Sequence, residues 1–224
     1  MKRLGCLAVG LVVLLAPLLG IDSWARGEAE SRAADALGSR LGTTPEVTAH
    51  GFPFLATLLT GTAPQVDVTA PSATLTIQGH QVDVTELDVQ GRQVGPVSDL
   101  ADAHAQQLDA TTVVGYEQVS RAMDVTMSSA GGNRVRLTGE LLGNSFEVVA
   151  VPSVQAGRLE LADPQVSVGG SALPVAQAQA VVDRIEESAE LPSVANLELT
   201  GLRAEPRGVE LTVHGTDVAL SELG

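Results

Sequence analysis

Aromatic residues and cysteine are almost absent from this 224-residue chain. Aromatic side chains make up 2% of the residues, and Cys6 is the only cysteine. A single cysteine excludes a disulfide within the chain and any metal site made of several cysteines. Gly, Ala, Val and Thr are abundant instead, so the core must be built from small and β-branched side chains, which favour strands.

Basic residues are scarce as well. Lys2 is the only lysine, and the formal net charge is −14, or −15 once residues 1–25, with Lys2, Arg3 and Asp22, are removed. Phosphate backbones repel a domain this acidic, which argues against nucleic acid as a partner. Adsorption to an anionic membrane by charge alone is also disfavoured. Any contact with lipid must therefore come from apolar surface.

The first 25 residues are typical of a targeting segment. Lys2 and Arg3 precede an uncharged run over residues 4–21, whose length fits a signal peptide or a short membrane anchor. Because the positive charges come first, the rest of the chain is expected outside the cytoplasm. We predict a signal peptide or N-terminal anchor over residues 1–25 and a single envelope domain over residues 26–224.

An apolar segment, HGFPFLATLLTG, covers residues 50–61 and holds two of the three phenylalanines. Residues 22–41 before it have the pattern of a helix, with Asp22 or Ser23 as its cap. Where the segment begins, Gly51 allows backbone conformations that other residues disfavour, and Pro53 fixes φ. Apolar residues then recur at helical spacing, at Phe54, Leu55, Leu58 and Leu59. The segment is predicted to be a hinge between the N-terminal helix and the remaining chain.

Alternation of apolar and polar residues dominates the chain after this hinge. Val66, Val68 and Ala70 alternate with polar residues, and breakers at Pro71, 79–80 and Gly91 indicate a meander of short antiparallel strands. Residues 99–108 are predicted to be a loop with a turn of helix. A short helix over residues 116–123, a hairpin turn at residues 131–133 and two closing strands, 196–205 and 209–218, are also predicted.

Residues 174–188 form the clearest amphipathic helix. Its apolar face is predicted to consist of Val175, Ala178, Val181, Val182 and Ile185. The predicted fold class is α+β, a long curled antiparallel β-sheet wrapping a helix, with a further helix at the N-terminus. A sheet this long must coil around a helix or fold on itself to bury its apolar face.

Motifs for catalysis or metal binding are absent from the sequence. The four histidines are isolated from one another, and neither a helical zinc motif nor a nucleophile or phosphate-binding motif occurs. Asp99, Asp102 and His104 form the best acid–base group, but no nucleophile accompanies them. We predict no enzyme activity, no cofactor and no metal, with a carboxylate-based hydrolase or transferase as an open alternative.

Several blocks of sequence resemble the actinobacterial LmeA-like family of cell-envelope proteins. They are GFPFL at 51–55, LLTG at 58–61, LLG at 141–143, VVAV at 148–151, GRL at 157–159 and the strand pair 197–205 and 208–220. The resemblance implies a tubular lipid-binding fold. It also implies phospholipid binding in the envelope in support of mannan or lipoglycan biosynthesis, without catalysis.

A phospholipid-binding protein is therefore the predicted function, and a structural or protein-interaction module of the envelope is the alternative. Phospholipid is the predicted partner, with membrane contact through the N-terminal segment or by transient encounter. Apolarity alone indicates the predicted lipid-binding residues, for which packing in the core is the other interpretation. They are Phe52, Phe54, Leu55, Leu58, Leu59, Val181, Val182 and Ile185.

Overall fold

The computed structural model describes residues 2–51, 53–77, 80–97, 102–123, 125–141, 144–155, 157–188 and 196–220; the side chains of residues 2–21 are outside this description. The helices of the described residues are α1 (Lys2–Leu41), α2 (Phe54–Thr60), α3 (Tyr116–Met123) and α4 (Val175–Ser188). Their strands are β1 (Glu46–His50), β2 (Ala63–Ile77), β3 (His80–Gly95), β4 (His104–Gly115), β5 (Thr126–Gly131), β6 (Arg134–Leu141), β7 (Asn144–Gln155), β8 (Arg158–Val168), β9 (Ser171–Ala172), β10 (Leu197–Ala204) and β11 (Gly208–Ala219).

The strands form two antiparallel sheets. The first has the order β1-β2-β3-β4-β11-β10, and the second has the order β5-β6-β7-β8-β9. Every described strand pair is antiparallel. The predicted α+β class is confirmed, with the strands divided between two sheets.

Helix α1 differs from the prediction at its start. It runs without a break from Lys2 to Leu41, so neither Asp22 nor Ser23 caps it. Asp22 is instead buried, and its carboxylate lies 3.7 Å from the Arg26 guanidinium one turn later. Among the residues with described side chains, no helix is long and apolar enough to cross a membrane. Most of the predicted targeting segment lies outside those residues.

Strands β2 and β3 are longer than the sequence predicted, because Pro71 and Gly91 lie inside them rather than between strands. Pro71 faces Glu86, which has a positive φ of 54°. Across this irregularity the buried residues are three positions apart rather than two, at Ala70 and Ala73 on β2. A strand alternates faces every residue, so the irregularity keeps both alanines on the apolar face.

The middle of the chain was partly predicted. Helix α3 has the predicted bounds, and β5 and β6 meet at the predicted hairpin turn, where Gly132 and Asn133 both have φ near +60°. The predicted loop over residues 99–108 is wrong from His104 onward, because β4 begins there; residues 98–101 lie outside the description. Alanines and glutamines in this stretch obscured a strand that pairs with β3 and β11.

The largest core lies between the second sheet and α4. Leu137, Val148 and Val182 are fully buried there, and Ala178 packs with them. The predicted apolar face of α4 is thus confirmed for Ala178 and Val182, but Val175 is 86% exposed at the start of the helix. The same core takes in residues of β10 and β11, so it joins the two sheets.

Candidate functional site

The first sheet has one polar face. A row of paired residues crosses it with one residue from each strand, and all six side chains are polar or charged. In sheet order they are Thr48, Asp67, Gln90, Asp109, His214 and Glu198. Residues directly opposite each other on antiparallel strands point to the same face, so these side chains form one continuous band.

The opposite face carries an apolar row of the same kind. Its members, again in sheet order, are Val47, Val68, Val89, Ala110, Val213 and Leu199. We call these six residues the apolar row. Val47 is 8% exposed, and the other five are half-buried, so they retain contact with solvent. Apolar side chains that remain partly exposed along a whole sheet are typical of a binding surface.

The apolar row is half-buried because the helices cover only its margins. Helix α1 packs on β1 and β2, where the Ala49 amide donates a hydrogen bond of 2.8 Å to Glu30 Oε1. Helix α3 packs on β4, and α4 packs on the second sheet at β8. Within the described residues, no helix packs extensively on β3, β10 or β11. At the centre of the row, Val89 and Ala110 pack against neighbouring core residues of the sheet and keep partial exposure.

Beside the apolar row, two glycines allow valine side chains to cover the sheet closely. The neighbouring row includes Gly91 and Gly215, both buried in the sheet. A Cβ on Gly91 would lie 2.9 Å from Val94 Cγ2, and one on Gly215 would lie 2.5 Å from Val218 Cγ2. Glycine is therefore required at both places for the neighbouring valine to pack over the backbone.

The structure separates the sequence-predicted lipid-binding residues instead of gathering them. Phe54 is 3% exposed under α2, while Val182 is fully buried in α4 against the second sheet, where Val181 and Ile185 also pack. Leu59 is 89% exposed. Phe52 and the side chains of Leu55 and Leu58 lie outside the description. Their role in lipid binding stays a prediction, and the core interpretation fits Phe54 and Val182.

One signal for the apolar row was present in the sequence, but the predicted lipid-binding residues were not chosen from it. The alternation of Val66, Val68 and Ala70 indicated a single apolar face on β2. Nothing local in the sequence indicated that β4 pairs with β11, more than 100 residues away, and thereby extends this face to Leu199. The row could not be identified without that pairing.

Two depressions on the first sheet are unsuited to acyl chains. One of about 560 Å³ includes Glu46, Glu86 and Asp88 in its wall, and one of about 390 Å³ includes Glu46, Asp67 and Asp88. Carboxylates in these walls would also repel a phosphate headgroup. We therefore assign neither depression to lipid.

Two histidines pair with aspartates on the polar face, although the sequence showed them as isolated. His50 Nε2 lies 2.7 Å from Asp67 Oδ2, and His214 Nδ1 lies 2.7 Å from Asp109 Oδ1. Burial alone would raise the pKa of Asp67, but hydrogen bonds from Gln65 and His50 outweigh it and lower that pKa. Among the described residues, the depression at His50 is lined by the hydroxyls of Thr48 and Thr69 and by no serine or cysteine.

The lowered pKa of Asp67 predicts a loss of stability in acid. The ionised carboxylate stabilises the fold above its unfolded pKa near 3.8, and this contribution disappears as the pH falls through the lower folded value. Asp67→Asn is expected to flatten the fall in melting temperature below about pH 5. His50→Ala removes the hydrogen bond from His50, leaves those from Gln65 and Gln90, and should flatten the curve in part. Identical curves for both variants and the wild type would contradict the assignment.

The acid–base group predicted from the sequence is not assembled in the described residues. Asp102 and His104 are both exposed at the start of β4, and Asp99 lies outside the description. No group of three or more His, Cys, Asp and Glu side chains that could hold a metal occurs in the described part of the chain.

The fold and the apolar row together define an α+β protein whose first antiparallel sheet carries a continuous row of apolar, mostly half-buried side chains. The family model for LmeA-like phospholipid-binding proteins matches residues 20–214, and the chain therefore belongs to that family. The family resemblance seen in the sequence is confirmed. No curated protein and no solved structure matches the chain significantly.

Proposed function

We propose that this chain is a non-enzymatic phospholipid-binding protein of the cell envelope that holds acyl chains against the apolar row. The observation that carries the proposal is the row itself, apolar in all six strands and half-buried in five of them. Membership of a phospholipid-binding family supplies the class of ligand.

The dimensions of the row suit an acyl chain. Strands in a sheet lie about 4.8 Å apart, so six strands span roughly 24 Å. One leaflet of a bilayer gives its acyl chains about 15 Å of hydrocarbon depth, half of the 30 Å core. An acyl chain can thus lie along most of the row, and each CH₂ that it buries contributes about 0.8 kcal/mol.

The charge distribution of the protein disfavours electrostatic attraction to anionic membranes, as expected for a soluble lipid carrier. Acidic side chains lie on the face of the first sheet opposite the apolar row, and the whole chain has a net charge of −14. Such a surface weakens adsorption to anionic lipid and preserves solubility. We extend the proposal, from the family resemblance, to an exported protein that supports mannan or lipoglycan biosynthesis.

Extraction of the purified protein with organic solvent, followed by lipid mass spectrometry, tests the proposal. Phospholipid is expected at a fixed ratio to protein, and protein stripped of lipid should take up a fluorescent phospholipid. Lipid-free protein that also fails to take up the probe would contradict lipid binding and favour the interaction-module alternative.

A further inference from the structure

The segment around α2 is free of charge in a strongly acidic protein. Residues 51–66 contain no Asp, Glu, Lys, Arg or His. The exposed side chains of this segment include Pro53, Ala56, Leu59 and Thr60, of which Leu59 is 89% exposed. An isolated exposed leucine is common on protein surfaces, so its meaning depends on where the rest of the molecule places it.

A neighbouring loop extends this surface. The Val97 amide donates a hydrogen bond of 3.0 Å to the Gly61 carbonyl, which brings the exposed Pro96 beside the end of α2. We call the exposed residues Pro53, Ala56, Leu59, Thr60 and Pro96 the α2 corner. A Cβ on Gly95 would lie 2.7 Å from the Gly61 carbonyl oxygen, so the loop and the helix end are in close contact.

The α2 corner is fixed rigidly to α1. Phe54 and Thr57 are 3% and 5% exposed on the inner side of α2. Arg26 of α1 donates a hydrogen bond of 2.6 Å to the Gly51 carbonyl, and its guanidinium carbon lies 5.8 Å from the centre of the Phe54 ring. The exposure of Leu59 therefore belongs to a helix that is held in place.

Helix α1 sets the level of the α2 corner relative to the apolar run at residues 4–21. The helix is continuous from Lys2, and each residue advances it by about 1.5 Å. Trp24 thus lies about 4.5 Å beyond Ile21 and is 71% exposed, while Arg26 lies about 7.5 Å beyond it. A headgroup layer is roughly 5 to 8 Å thick on each side of the hydrocarbon core.

We propose that the α2 corner docks into the headgroup layer of a phospholipid bilayer, with Leu59 as its inserting side chain. If residues 4–21 lie in the bilayer, Trp24 falls at the level of that layer, where tryptophan is favoured, and the contacts of Arg26 bring the start of α2 to the same level. The inference rests on the proposed function and on the placement of residues 4–21 in a bilayer, one of the forms of membrane contact predicted from the sequence. It names a second contact with the bilayer, at a different part of the chain.

Charge supports a bilayer as the occupant. Repulsion from anionic lipid keeps the acidic faces of the protein away from the headgroups, whereas the α2 corner brings no formal charge to them. Among the described side chains, Val175 is a second highly exposed aliphatic one; it starts α4, which packs on β8 of the second sheet and not extensively on α1. Val175 is therefore a matched control, apolar and almost equally exposed, on a helix that α1 does not position.

The test uses the full chain with Cys6→Ser, carrying either Leu59→Cys or Val175→Cys labelled with an environment-sensitive fluorophore. Each protein is reconstituted into vesicles of phosphatidylcholine and phosphatidylglycerol, with and without a lipid that bears a quencher in its headgroup region. The label at position 59 is expected to shift to the blue and to be quenched, and the label at position 175 is not. Trp24, the only tryptophan, reports the level of α1 in the same samples.

Three results would overturn the inference, and they differ in what else they affect. Quenching of Trp24 without quenching at position 59 would contradict the docking of the α2 corner, but it would agree with the membrane placement of α1. Absence of both signals removes the membrane placement too. Equal quenching at positions 59 and 175 would show that the α2 corner does not contact the bilayer in preference to other exposed apolar sites. Phospholipid extracted from the purified proteins before reconstitution measures lipid binding separately from all three.

Discussion

Replacing three valines of the apolar row by threonine is expected to remove most of the bound phospholipid and leave the protein folded. The variant is Val68→Thr, Val89→Thr and Val213→Thr, on β2, β3 and β11. Threonine has nearly the shape of valine and favours strands equally, so the sheet should persist. Each added hydroxyl that meets an acyl chain without a hydrogen-bond partner costs about 1–3 kcal/mol.

The three costs together amount to at least roughly 3 kcal/mol, which corresponds to about a hundredfold loss of affinity. Lipid mass spectrometry and titration with a fluorescent phospholipid measure the loss, and a thermal melt reports the fold. Threonines in strands can satisfy their hydroxyls only where a partner lies nearby, and the apolar row presents apolar neighbours on both sides. The effect on lipid should therefore exceed the effect on stability.

The opposite substitution on the other face provides the control. Thr69→Val and Thr216→Val alter β2 and β11 in the same isosteric way, but these side chains share the polar face with Asp67 and His214. This variant should keep its full complement of phospholipid. If the triple variant retains lipid as well, the apolar row is not where acyl chains bind.

Local patterns in the sequence predicted much of the fold. Apolar periodicity predicted α4, the short helix α3 was predicted at its observed bounds, the Gly-Asn turn predicted the β5–β6 hairpin, and the alternation at Val66, Val68 and Ala70 predicted the apolar face of β2. These signals depend on neighbours within a few residues, so a single sequence contains them. Pro71 was misread because an irregularity in both paired strands accommodates it, and only the pairing reveals that.

The candidate site depended on information that is not local. Val89, Ala110 and Val213 adjoin one another only because β4 pairs with β3 on one side and with β11 on the other. Apolarity alone pointed to the phenylalanines and leucines near α2, yet Phe54 and Leu59 have opposite environments five residues apart on one helix. Composition cannot separate a core side chain from a contact with lipid, whereas burial can.

Phe54→Ala is expected to destabilise the protein by about 3–5 kcal/mol, because it removes a fully packed aromatic ring and leaves a cavity. The ring is 3% exposed, and the Arg26 guanidinium above it would lose its aromatic contact. Leu59→Ala, on the same helix, removes a side chain that is 89% exposed and should change stability by less than about 0.5 kcal/mol. Urea unfolding measures both free energies of unfolding.

The two variants also separate the interpretations that the sequence left open for this segment. Loss of stability in Phe54→Ala, with phospholipid retained at temperatures where the variant is folded, identifies Phe54 as core. An unchanged free energy of unfolding together with loss of phospholipid would instead identify the ring as a lipid contact, and it would contradict the burial seen here. Because α2 is tied to α1 through Arg26 and Gly51, destabilisation at Phe54 should also loosen the α2 corner. A label at Leu59→Cys should then report greater mobility in the Phe54→Ala background than in the wild type.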